Sequence, residues 1–217
     1  MTYSKEIYNA IEKKDLNYLK HLIKNNKIDL SYNNNSFIKK ASECSSIEIF
    51  KYLISFPEVD YTYFNWTFKS ACLNGNYDIV DFLLNDSKIN IFAEEHFAIK
   101  MAASNNHFEI INLVLNKYTP EQIEESEILA FSAFHGHIKT YLYLLEKYNL
   151  NPAYNNNNAI IETYKRINHK NTESKEKENL KKALILLWNN ENVKNTLKKD
   201  NFKIYKKLKL PEFIQNF

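Results

Sequence analysis

The chain has 217 residues, 44% of them hydrophobic, a formal net charge of +3, and only 2 Gly and 4 Pro. That length and apolar content suffice for a continuous core, whereas two isolated glycines leave no room for a phosphate-binding loop or a Gly-rich dinucleotide fingerprint. Turn residues are too scarce for a β-rich or Rossmann-type fold, and no apolar run approaches the length of a membrane span.

Read from the start, a small pattern returns every 30 or 31 residues. The first copy carries Ile7, Ala10, a turn position at Lys14, then Leu16, Leu19 and the pair Leu22-Ile23, and closes on Ile28-Asp29. The second has Ile38, Ala41, turn Ser45, Ile47, Phe50, Leu53-Ile54 and Val59-Asp60. The third is the clearest, with Phe68, Ala71, turn Gly75, Tyr77, Val80, Leu83-Leu84 and Ile89-Asn90. A fourth runs through Ile99, Ala102, turn Asn106, Phe108, Ile111 and Val114-Leu115. The fifth has Leu129, Ser132, turn Gly136, Ile138, Tyr141, Leu144-Leu145 and Leu150-Asn151. Apolar residues three and then one apart share a helical stripe, so the positions two, five, eight and nine after the turn predict a core face. The small residue four before the turn lets two helices approach, and Gly or Asn at the turn accepts the left-handed conformation that ends a helix. Each unit is thus predicted to be a helix, a tight turn, a second helix and a short extended connector. No unit buries its apolar face alone, and the whole is an all-α solenoid of stacked repeats.

Beyond Pro152 the register shifts. Ala159 to Ile167 and Leu180 to Trp188 read as the two helices of a sixth unit, separated by "NHKNTESKEKEN", a charged insertion over 168–179 expected to form a mobile loop. A last half-matching unit has its turn at Asp200 with Phe202, Tyr205 and Leu208 at the expected offsets, in a Lys-rich setting suited to a cap. The domain reading is therefore one solenoid over 1–217. It has an N-terminal unit 1–35, four core units over 36–152, a sixth unit 153–192 and a capping unit 193–217.

These positions resemble the ankyrin repeat, a helix-turn-helix unit with paired alanines, a Gly, a Leu-Leu pair and a Val-Asn-like end. "SACLNGNYDIVDFLLNDSKIN" carries the resemblance best, and "SAFHGHIKTYLYLL" keeps the Gly-His of the family's turn at Gly136-His137. The sequence departs from the family in lacking the Thr-Pro-Leu-His box, where the third unit has Trp66-Thr67-Phe68-Lys69, and in lacking the connector Gly. Connector aromatics Tyr61, Phe64 and Trp66 are expected to brace neighbouring hairpins in place of that box.

The resemblance implies a non-catalytic module for protein–protein interaction, binding in a concave groove of connector tips and first-helix ends. Carried over residue by residue, the groove positions are Tyr32, Asn33, Asn35 and Glu43, with Cys44 beside them. The third unit contributes Thr62, Tyr63, Asn65, Leu73 and Asn74, and the fourth Glu94, His96, Ser104 and Asn105. Phe134 and His135 come from the fifth, where Pro120 disturbs the connector. Tyr63, Leu73 and Phe134 are the apolar groups among them that the core pattern does not claim, and so the expected anchors.

No other chemistry competes with this reading. His135 and His137 flank Gly136 without further ligands at metal-binding spacing, and His107 shares their turn position, so all three read as structural and no metal or cofactor is expected. No Ser, Cys or carboxylate constellation stands apart from the repeat, and no enzyme activity is expected. Charge is uneven, with 14 Lys or Arg against 5 Asp or Glu between Lys165 and Lys209. The alternative function is therefore an adaptor whose basic C-terminal end meets nucleic acid or recruits a ubiquitin ligase, the latter suggested by "LKLPEFIQNF". Cys44 and Cys72 are unpatterned and read as reduced thiols, and "MTYSKEIYNAIEKK" has no hydrophobic signal core. The expectation is a monomeric, cytoplasmic protein with an unidentified protein partner, no nucleic acid and no membrane. The Lys, Asn, Ile, Tyr and Phe bias points to an adenine- and thymine-rich source such as an amoeba or a large DNA virus, in the latter case acting in the host cytoplasm.

Overall fold

Four of the five turn positions have a left-handed backbone, Lys14 at φ 55°, Gly75 at 77°, Asn106 at 59° and Gly136 at 70°. The computed structural model describes residues 3–44, 46–170 and 172–208; the fifth turn residue Ser45, the side chains of Phe64, Phe202, Lys207 and Leu208, and the segment from Lys209 on lie outside the described residues. At each of the four turns the N–H of the following residue reaches the carbonyl of the small residue four before the turn. Asp15 donates to Ala10 at 2.9 Å, Asn76 to Ala71 at 2.9 Å, His107 to Ala102 at 3.0 Å and His137 to Ser132 at 2.9 Å. The left-handed residue thus closes the first helix on its own last carbonyls before the chain reverses.

Two compact units result, one ending at Val114 and the other beginning at Leu115. In the first, helices α1 (Ser4–Glu12), α3 (Tyr32–Glu43), α5 (Trp66–Asn74) and α7 (Ala93–Ser104) pack each on the next. Helices α2 (Leu16–Asn25), α4 (Ile47–Ile54) and α6 (Tyr77–Leu84) pack against the first helix of their own repeat. Helix α8 (Phe108–Leu115) closes the fourth repeat. In the second unit α9 (Pro120–Glu125) precedes α10 (Ile128–Phe134), α11 (Ile138–Tyr148), α12 (Tyr154–Ile167), α13 (Ser174–Trp188), α14 (Glu191–Asp200) and α15 (Phe202–Leu208). There α10 packs on α11 and α12, α12 on α13 and α14, and α14 on α15. The fold is all-α, and the described residues contain no strand.

The small residues Ala10, Ala41, Ala71, Ala102 and Ser132 are all 1% exposed or less, as helix-on-helix approach requires. The core face of the second helices is shifted from the expected one. Positions five and eight after the turn are buried throughout, but position two is not, and Tyr77 there is 45% exposed. Position four takes its place in the later repeats, with Ile49, Ile79, Ile110 and Thr140 buried, whereas Tyr18 in the first repeat is 40% exposed. The residue two after the turn lies in the helix's first turn, before its axis swings onto its partner, so the buried stripe begins two residues later. Of the closing pair the first member is buried in every repeat, while the second is half-exposed except at Leu115.

Two local expectations are corrected. Pro120 does more than disturb a connector, because Thr119 and Gln122 form a reciprocal capping box and Pro120 opens the short helix α9. The insertion 168–179 is not a loop throughout, since α13 begins at Ser174. Its early turns are held by Glu176, whose Oε1 meets Arg166 Nη2 at 2.5 Å, and by the Glu178–Lys182 pair at 2.9 Å. Polar composition argued for a loop, but an i,i+4 ion pair and a following apolar face at Leu180, Ala183, Leu184 and Leu187 carry the helix outward.

Candidate functional site

The connectors explain the recurring apolar–Asp/Asn ending. Asp29 Oδ1 accepts from Ser31 N at 3.0 Å, Asp60 from Thr62 N at 2.9 Å, Asn90 from Phe92 N at 3.0 Å and Asn151 from Ala153 N at 3.0 Å. Each is an Asx turn that sends the chain from the second helix toward the next first helix. A second left-handed position then recurs at every repeat step, at Asn35 (φ 59°), Asn65 (50°), His96 (64°), Glu127 (52°) and Asn157 (64°). Glycine is the residue usually able to adopt this conformation, and Asn is the next most tolerant, which accounts for the Asn runs in a chain without connector glycines.

Two of these residues, Asn35 and Asn65, lace adjacent connectors through main-chain groups, and a third, Glu127, accepts from the Asn155 and Asn158 side chains of the next repeat. Asn35 Oδ1 accepts from Asp60 N at 2.8 Å, and Asn65 exchanges two bonds with the Asn90 main chain at 3.2 and 3.1 Å. Tyr61 donates to Asp86 at 2.5 Å, so that its phenol is pushed up to about 12 by that bond and by burial. The Asp86 carboxyl is held below its ordinary value, by the same bond first and the Lys88 N–H second. Tyr61 thus braces the next repeat as expected of the connector aromatics.

Above the connectors, three first helices of the N-terminal unit open a trench lined by Trp66, Leu73, Phe97 and Met101 with Lys39, Lys69, Glu43 and Glu94. Three of its apolar groups are exposed, Trp66 at 41%, Leu73 at 42% and Phe97 at 39%. Lys39 Nζ stands 3.8 Å from the centre of the Trp66 ring. Lys69 Nζ lies 5.1 Å from Trp66 and 5.9 Å from Phe97 while pairing with Glu94 at 2.6 Å. Lys40 beside them has its ammonium stabilised chiefly by the hydrogen bond to Glu12, so it stays charged.

The residues inferred for the groove are not all free to meet a partner. Tyr63 and Leu73 are exposed, and Glu94 lines the trench as the partner of Lys69. Glu43 lines it too. Asn35 and Asn65 are engaged between connectors, and Thr62 Oγ1 donates to Asp60 Oδ1 at 2.6 Å. Asn74, Ser104 and Asn105 turn back to carbonyls four residues earlier, at 2.8, 2.9 and 3.0 Å. Tyr32 stacks on Phe37 and His96 lies edge-on to Phe92. Asn33 is exposed and left-handed. Phe134 and His135 belong to the second unit, and Phe134 is half-covered by the Arg166 guanidinium at 4.6 Å from its ring. Trp66, assigned only to bracing, is the most prominent wall of the trench. Phe97, Met101, Lys39 and Lys69 were missed, although Trp66 and Phe97 are one repeat apart in the sequence, as are Lys39 and Lys69.

The turn histidines act structurally. His107 Nε2 bonds the Leu73 carbonyl of the preceding repeat at 2.9 Å, and its ring lies where a Cβ on Gly75 would sit, 2.7 Å away. Asn76 makes the equivalent reach to the Ser42 carbonyl. His135 is depressed to about 4 by burial first and then by Arg166 and His137. Among the described residues no three His, Cys, Asp or Glu side chains converge as a metal site, and no helix is long and apolar enough to cross a membrane.

A turn residue reaching back one repeat, an Asx-turn connector and a stacked helix pair recur together through the first unit. The family model for ankyrin repeats in 3 copies matches residues 7–94 and, overlapping them, 68–158. The chain belongs to the ankyrin-repeat family. No curated protein and no solved structure matches it. Ankyrin repeats are generally protein–protein interaction modules and typically non-catalytic. In this ankyrin-repeat protein the Gly-His turn of the family survives at Gly136-His137, while in the third repeat its histidine is replaced by Asn76.

Proposed function

We propose that this ankyrin-repeat protein is a non-catalytic binding module whose working surface is the first-helix face of the N-terminal unit. The observation that carries the reading is the trench between α3, α5 and α7, where three of the exposed large hydrophobic side chains, Trp66, Leu73 and Phe97, line one concave surface together. Aromatic and aliphatic groups held in place by neighbouring charges lose little side-chain entropy on binding, which favours them as interface anchors. Tyr63 adds a further exposed ring on the connector before α5.

The test is affinity capture from the source cell by the full chain, its Leu73→Ala/Phe97→Ala double variant and its Lys198→Gln/Lys199→Gln/Lys203→Gln triple variant. Interface anchors typically carry more than about 1 kcal/mol each, and solvated charges much less. The apolar pair is expected to lose partner capture with helicity and melting preserved, and the lysine triple to keep it. Loss in the triple alone would move the site to the basic helices α14 and α15.

A further inference from the structure

The trench is asymmetric in charge. Among the described residues Lys39 has no carboxylate within ion-pair distance, and its ammonium rests on the Trp66 ring at 3.8 Å. The two carboxylates that share the trench are otherwise engaged. Glu94 is taken by Lys69 at 2.6 Å, and Glu43 faces Lys40 at 3.9 Å. Lys39 is therefore an available cation at the edge of an apolar surface formed by Trp66, Leu73, Phe97 and Met101.

We infer that the occupant of this trench is a short segment of a partner protein that presents a large apolar side chain directly beside an Asp or Glu. This rests on the reading of the trench as the binding surface and adds the chemistry of what it binds. The apolar side chain covers Leu73 and the aromatic walls, removing exposed hydrocarbon from water. Its neighbouring carboxylate meets Lys39, whose position over Trp66 is already fixed by the cation–π contact, so the ion pair forms at little cost in ordering. A basic segment finds no counterpart there, because both trench carboxylates already face lysines. Lys39 is thus the residue that selects the sign of the partner's charge.

The experiment selects displayed random heptapeptides on the full-length protein and on its Lys39→Glu variant. The native chain is expected to enrich Asp or Glu adjacent to Leu, Ile, Phe or Trp. The variant is expected to enrich Lys or Arg at the same place. Binding of synthesised winners is read from tryptophan emission, since Trp66 is 41% exposed and Trp188 only 9%. Lys39→Gln is expected to weaken the acidic winners about tenfold. No acidic preference, or an unchanged preference in Lys39→Glu, overturns the inference about the partner. If the winners also bind a Leu73→Ala/Phe97→Ala chain undiminished, the trench reading itself fails. A single-stranded oligothymidylate that displaces the winners at equal or lower concentration would assign the surface to nucleic acid and overturn the peptide assignment.

Discussion

Tyr141 occupies the position five after the turn, which is Leu19, Phe50, Val80 and Ile111 in the other repeats, and it is 1% exposed. Its hydroxyl is buried without a hydrogen-bond partner, and burial raises its pKa above the usual phenol value. An unpaired buried hydroxyl costs about 1–3 kcal/mol. Tyr141→Phe is accordingly expected to stabilise the protein by about 1 kcal/mol, read as a higher urea midpoint at unchanged slope; a lower midpoint would show that the hydroxyl is satisfied. His135 behaves oppositely to a salt-bridged histidine. Its folded value near 4 lies below the ordinary 6.5, so between these values the unfolded chain binds the extra proton and stability falls as pH falls. Stability measured by urea across that window is expected to decline less steeply in His135→Asn. Equal slopes in the two proteins would mean that His135 protonates freely in the fold.

At the scale of the element, the connector is where this chain replaces what it lacks. The left-handed position at each repeat step removes the need for a glycine only where the side chain tolerates it, and Asn35 and Asn65 add bonds to the next connector. Asn65→Ala loses both the tolerance and the two bonds, and is expected to cost about 1–3 kcal/mol. Asn65→Gly restores the backbone freedom but not the bonds and should fall between. Hydrogen exchange at the Asn90 amide, the acceptor-bound donor of this pair, is expected to rise in both; an unchanged rate would show that the clamp does not hold the connector. Asn157 marks where the device ends. It is left-handed and fully buried, yet both its amide atoms lack partners, because the chain beyond α12 enters the insertion and α13 instead of another connector. Successive repeats are joined also by cations over rings, Lys20 over Tyr52 at 5.4 Å and Lys51 over Phe82 at 5.2 Å on the second helices, and Lys39 over Trp66 on the first. Each such contact contributes about 0.5–1 kcal/mol at exposed sites, a modest but repeated tie.

For the molecule as a whole, stability is carried by contacts between neighbours in the stack, so a core deletion acts locally before it acts globally. Leu83 in α6 is 0% exposed, and Leu83→Ala is expected to cost about 2–5 kcal/mol. Hydrogen exchange should accelerate most in α5 and α6 and in the α4 helix that α6 packs against. Uniform acceleration along the chain would mean that unfolding is all-or-none and that nearest-neighbour coupling does not describe it. Leu84→Ala, at a half-exposed position, is expected to cost less than Leu83→Ala, which distinguishes the two members of the closing pair.

The repeat period, the helix pairs, the small-residue contact and the left-handed turns at Gly75, Asn106 and Gly136 were all determined by the sequence, since each depends on spacing within one repeat and on what a residue can do to its own backbone; Lys14 takes the same conformation without that tolerance. The tertiary structure decided which exposed side chains meet across repeats. Asn35 and Asn65 looked like surface contacts and are clamps; Phe134 looked bare and lies under Arg166; Trp66 looked like a brace and walls a trench with Leu73 and Phe97. The Asn35–Asp60, Asn65–Asn90, Trp66–Phe97 and Phe134–Arg166 pairs are 25 to 32 residues apart. Periodicity places such residues in register but leaves their rotamers and partners open, because contact across a stack depends on how the helices seat against one another.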